Sequence, residues 1–173
     1  MRRILKSIYL QNRFFTALAV IVVLFIVSFF AVNVFGVAKL LLTILVILTI
    51  LDLMLLYSNK TGITASRKLP EKLSNGDDND IDIKLRNSYR FKSKLRIIDE
   101  LPKQWQIRDF EINTHMDSAA EKKITYQVRP TQRGEYHFGN LNVYAATTLG
   151  LVWRRQQYDH NAMVPNYPSF LQL

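Results

Sequence analysis

Cysteine does not occur among the 173 residues, which excludes a disulfide framework and any thiolate metal site and leaves nothing that argues for an oxidising compartment. The three histidines, His115, His137 and His160, are scattered without metal-ligand spacing and read as surface residues. With only six glycines and five prolines, the chain has no glycine-rich phosphate loop and no nucleophile elbow. Asp77, Asp78, Asp80 and Asp82 lack the calcium-loop spacing and its closing glutamate, so they read as a solvated turn leading into a strand. No catalytic residue, cofactor or metal ligand is expected, and the chain is not expected to be an enzyme.

Long apolar runs dominate the first third instead. Residues 14–32 and 40–51 carry no charge, whereas the chain beyond Tyr57 is polar and charged throughout. The first run is close to the roughly 20 apolar residues that cross a bilayer, and it is too long for a signal peptide. A transmembrane hairpin is predicted over 14–57, with helices at about 14–35 and 37–57 joined by the short turn around Asn33 and Gly36, so that both ends lie on one side. A basic N-terminus, residues 1–13, precedes it. Lys39 is placed at the start of the second helix, where it can snorkel, and Tyr57 in the aromatic belt.

Arg2, Arg3, Lys6 and Arg13 before the hairpin, and Lys60, Arg67, Lys68 and Lys72 after it, face a single Lys39 at the turn. By the positive-inside rule both ends are then cytoplasmic, in a multi-pass protein of the bacterial inner membrane. Asp52 is the ionisable group of the second span. Near the head groups, it reads either as a hydrated or helix-paired carboxylate or as a functional residue.

Beyond Tyr57 the hydrophobic period changes to two. Ile81, Ile83 and Leu85 alternate with Asp82, Lys84 and Arg86; Phe91, Leu95 and Ile97 alternate with Lys92, Lys94 and Arg96. The rhythm returns at Phe110 and Ile112, at Ile124, Tyr126 and Val128, at Tyr136 and Phe138, at Leu141 and Val143, and weakly at Leu151 and Trp153, for about seven short strands. Turn residues separate them, with no amphipathic helix between. The prediction is an all-β, immunoglobulin-like antiparallel sandwich over 58–169, followed by a short apolar tail at 170–173. Its core should include Ile83, Leu85, Leu95, Ile97, Tyr126, Val128 and Val143, with Trp105 and Trp153 in the core or at its rim.

The net charge of +9 is too dilute to argue for nucleic acid. The basic run from Arg90 to Arg96, and Arg154 with Arg155, instead suit a face held beside anionic lipid, so the bilayer is the first expected partner. Asp52, Arg133, Arg154 and Arg155 are the candidate interaction residues. Arg133, at a strand end, could alternatively pair with a carboxylate such as Asp99.

The hairpin with Asp52 is followed in order by Arg67-Lys68-Leu69-Pro70, Asp99-Glu100-Leu101-Pro102, Tyr126-Gln127-Val128-Arg129-Pro130, Arg133-Gly134-Glu135-Tyr136-His137-Phe138-Gly139, Leu149-Gly150-Leu151 and Tyr167-Pro168. In this order the motifs resemble the N-terminal portion of the bacterial family called domain of unknown function fifty-eight. Its members are often encoded beside MoxR-type AAA+ ATPases and von Willebrand factor A proteins, and the resemblance implies those partners. Family members are typically longer, so the resemblance also implies a fragment or a truncated gene product. The leading expectation is a non-catalytic, membrane-anchored interaction module acting in assembly or maturation of envelope proteins. The alternatives are a membrane-bound hydrolase whose catalytic part is missing and a structural or receptor-like envelope protein.

Overall fold

The computed structural model describes residues 7–107, 110–158 and 161–168. Two apolar helices, α1 (Asn12–Val27) and α2 (Val32–Tyr57), come first and pack as an antiparallel hairpin. Phe25 meets Phe35 edge to face at 5.9 Å near the turn, while Ile21, Leu45 and Leu48 line one apolar recess further along. The arms are unequal. At about 1.5 Å per residue, the 16 residues of α1 reach about 24 Å and the 26 residues of α2 about 39 Å. One helix, Asn33–Tyr57, is therefore long and apolar enough to cross a membrane, and α1 is a shorter apolar helix.

This corrects the predicted bounds of 14–35 and 37–57, and the reason is local. The Ser28 hydroxyl donates to the Phe25 carbonyl at 2.6 Å, and Phe29 and Phe30 donate three residues back, to Ile26 and Val27. A serine that competes for the carbonyls of its own turn ends α1 there and lets α2 begin at Val32. Lys39 accordingly sits two turns inside α2 rather than at its start.

Eleven strands are found among the described residues, four more than the period of two shows in the sequence. They are β1 (Ile8–Leu10), β2 (Ile63–Lys68), β3 (Leu73–Asn75), β4 (Asn79–Asn87), β5 (Ser93–Asp99), β6 (Glu111–Met116), β7 (Glu121–Val128), β8 (Gly134–Phe138), β9 (Leu141–Ala146), β10 (Val152–Tyr158) and β11 (Ala162–Pro168). The four that were not anticipated have clear reasons. β1 lies in the segment read as a basic tail, β2 is rich in small and polar residues, β3 is only three residues long, and β11 carries prolines that argue against a strand.

A five-stranded sheet, β1-β10-β9-β5-β6, faces a three-stranded sheet, β2-β4-β7; a second three-stranded sheet, β3-β11-β8, supplies Tyr136, Phe138 and Val164 to the same core. Every pairing is antiparallel except β3 with β11, which is parallel, so the expectation of a purely antiparallel sandwich needs that amendment. All seven residues expected in the core are buried. Trp105 lies on a single 3-10 turn, Lys103–Trp105, with its ring 5.1 Å from Tyr136 and 5.6 Å from Phe138. Trp153 instead points away from the core, stacked with Arg96. The apolar tail 170–173 and His160 lie outside the described residues.

Candidate functional site

The most elaborate polar site joins the end of α2 to the five-stranded sheet. Ala38, Leu45 and Asp52 recur every seven residues along α2 and are all buried, with Leu56 one turn beyond. Seven residues are close to two helical turns, so a single stripe of α2 is covered: its first part by α1, its last part by the sandwich. Asp52 is completely buried, so its carboxylate is hydrogen-bonded within the protein rather than hydrated. Its Oδ1 accepts from the Thr147 hydroxyl, and its Oδ2 accepts from the amides of Leu151 at 2.9 Å and Val152 at 3.0 Å.

The 147–151 turn is shaped to make that socket. Thr147 Oγ1 in turn accepts from the Leu149 amide at 3.2 Å, and Gly150 takes a φ of +65° that favours glycine. A carboxylate with three donors is a satisfied group, so burial beneath the sheet carries no unpaired polar atom there.

Arg154 completes the joint from β10. Its guanidinium donates to the carbonyls of Leu56 (2.7 Å), Asn59 (2.7 Å) and Lys60 (2.8 Å) and lies 4.7 Å from the centre of the Tyr57 ring. These are carbonyls at and just beyond the C-terminus of α2, where a cation also meets the negative end of the helix dipole. Tyr89 adds a donor to Leu56 O at 3.1 Å, and burial pushes its phenol above the ordinary value against the opposing charge of Arg154. Gln156 bridges the following segment, accepting from Ile63 N at 2.8 Å and donating to Thr61 O at 2.6 Å. Gly62 has a φ of +63°, and a Cβ there would stand 2.7 Å from the Gln156 amide.

The other arm of the hairpin is fastened too. β1 pairs with β10, Gln11 N donates to Leu151 O at 3.0 Å, and Ser7 Oγ lies 2.7 Å from the Tyr57 hydroxyl. Arg155 projects from the opposite face of β10 to Arg154, with its guanidinium 2.8 Å from Asn142 Oδ1 and 3.4 Å from the Tyr9 hydroxyl. The structure thus brings Asp52 and Arg154 into one site and sets Arg155 behind it. Arg133 is exposed and far from both in sequence and sheet position.

Asp99 is not the partner of Arg133. It pairs with Arg67 of β2 inside the sandwich, and its other oxygen accepts from Tyr126 at 2.6 Å. Arg67 also donates to Gly139 O at 3.0 Å and lies over the Phe138 ring. Burial pushes the Asp99 carboxyl up, opposed by the charge of Arg67, and pushes the Tyr126 phenol up as well. This cluster ties the two facing sheets together. The sequence showed Arg67 as a flanking base, Asp99 as a possible partner of Arg133 and Tyr126 as a core residue, but nothing joined the three, and Thr147 carried no signal.

No family model and no curated protein matches the chain. Among solved structures it is similar to a CARDB domain from Pyrococcus furiosus, 15% identical over 61% of this chain and 87% of that one, with a TM-score of 0.40. It is also similar to the ASH/PapD-like domain 7 of human CEP192, 13% identical over 63% and 87%, with a TM-score of 0.47. At these values the likeness is one of overall shape and transfers no residue.

Proposed function

We propose that the chain is a non-catalytic, membrane-anchored interaction module: an immunoglobulin-like sandwich fixed at the cytoplasmic face of a bacterial inner membrane by a two-pass hairpin. The observation that carries this reading is the joint itself. Asp52 and Arg154 spend a buried carboxylate and a guanidinium on holding a helix end against a sheet, which suits a domain that must be presented in one orientation rather than tethered by a flexible linker. The resemblance in motif order adds a MoxR-type AAA+ ATPase and von Willebrand factor A proteins as partners, in assembly or maturation of envelope proteins.

The orientation is tested by labelling, which the absence of native cysteine makes direct. In intact cells, cysteines placed at Ser58 and Ser74 are expected to resist an impermeant thiol reagent while one at Val34 reacts; the reverse pattern would overturn the topology. The partnership is tested by mixing the purified full chain with the MoxR-type ATPase encoded nearest to it. Co-elution is expected, and separate elution removes that partner from the reading.

A further inference from the structure

A second site lies on the outer face of the five-stranded sheet, where β1 runs into α1. A cavity of about 360 Å³ opens there between Tyr9, Leu10, Asn12, Arg96, Tyr144 and Trp153, within the size range of ligand pockets. Its walls divide by chemistry. Leu10 and the ring of Trp153 are apolar, Tyr9 and Tyr144 meet edge to face at 5.5 Å, and Arg96 stacks on Trp153 at 5.4 Å.

Arg96 is held but not used up. Its Nε forms a half-exposed ion pair with the Glu111 carboxylate at 3.6 Å, too long for a hydrogen bond, and has no hydrogen-bond partner of its own. Arg155 reaches the same corner through the Tyr9 hydroxyl. Leu10 and Asn12 flank the start of α1, so on the membrane reading above the cavity opens at the depth of the lipid head groups, and Tyr9 and Leu10, at 40% and 42% exposure, turn aromatic and apolar surface toward the bilayer.

We propose that this cavity holds the phosphate head group of an anionic membrane phospholipid, with Arg96 as the anion-binding side chain and Leu10 and Trp153 against its glycerol and upper acyl region. Arginine suits the role because its planar fork binds phosphate while its face remains stacked on an aromatic ring. The proposal rests on the reading of the helices as a membrane anchor, which carbonate extraction of membranes tests separately. A chain that stays membrane-bound yet shows no lipid preference overturns this proposal alone.

Trp153 is itself the reporter. In the full-length chain with Trp105→Phe, purified in a zwitterionic detergent, Trp153 emission is followed while dioctanoyl phosphatidylglycerol is added. A saturable change is expected, with the midpoint raised about tenfold by Arg96→Gln, the loss of a charge-assisted contact, and raised also by Asn12→Asp, which places an acid at the rim. Asn12→Asp adds a carboxylate to the first turn of α1, where it favours the helix, so its effect does not reflect misfolding. Arg86→Gln, an exposed base on β4 in the other sheet, should leave the midpoint unchanged. The proposal is overturned if dioctanoyl phosphatidylcholine saturates at the same midpoint, if inorganic phosphate reproduces the change, or if both cavity variants titrate like the parent.

Discussion

Asp52 illustrates what one residue reveals before and after folding. As an ionisable group in an apolar helix it stood out in the sequence, but its partners are a hydroxyl and two backbone amides some 95 to 100 residues away, and backbone donors leave no trace in side-chain patterns. Removing it should leave the Leu151 and Val152 amides without this partner, the second of them buried, at about 1 to 3 kcal/mol for a buried group and less for the half-buried one. Asp52→Ala is therefore expected to destabilise the chain in detergent by several kcal/mol, and Thr147→Val by less. A double-mutant cycle on the two should give a coupling of about 1 to 2 kcal/mol in urea unfolding; strict additivity would separate them.

Three tyrosines make a second statement at this scale. Tyr89, Tyr126 and Tyr158 are all pushed above their ordinary value of 10, chiefly by burial. The folded chain thus keeps these protons where the unfolded chain has lost them. Their stabilisation is complete below pH 10 and is lost as pH rises from there toward the folded values, by up to about 1.4 kcal/mol per pH unit for each phenol. Stability measured from pH 9 to 12 should fall along that limb, and Tyr126→Phe should flatten it by about a third. An unchanged slope in that variant would mean that the phenol ionises equally well in both states.

Among the elements, strands with strict alternation were legible and those with other compositions were not. β4 and β5 place every second residue in the core, as their sequences require. β1 could not be read, because three residues ahead of an apolar helix carry no period; only their pairing with β10 makes them a strand. α1 was read too long, since an apolar run continues through Ser28, Phe29 and Phe30 while the backbone turns. The role assigned to β1 is open to a direct check. Tyr9 lies opposite Trp153, and Tyr9→Pro removes a ladder donor from this edge strand. A loss of about 1 to 3 kcal/mol is expected, together with faster proteolysis ahead of Asn12; a variant as resistant as the parent would show that β1 adds nothing to the sheet.

At the scale of the whole molecule, the hairpin and the sandwich share a boundary rather than a linker. Leu56 belongs to α2 yet is fully buried in the same cluster as Ile63, Tyr89 and Val152, so cutting the chain at residue 58 takes a wall from the sandwich core as well as the helical hairpin and β1. The excised sandwich should fold, since its remaining core residues other than Tyr89 come from strands, but with an open socket where Asp52 and Leu56 had been. Hydrogen exchange reports this at named positions. In the full chain the Leu151 and Val152 amides are bonded to Asp52 Oδ2, the first half-buried and the second buried, so they should exchange chiefly through opening of the joint. In the excised sandwich they should exchange at least about a hundredfold faster, while Ile83 and Val143, deep in the core, should slow or quicken only with global stability. Equal protection of Leu151 and Val152 in both forms would mean that the turn closes on itself, and that the helix end is an attachment rather than part of the fold.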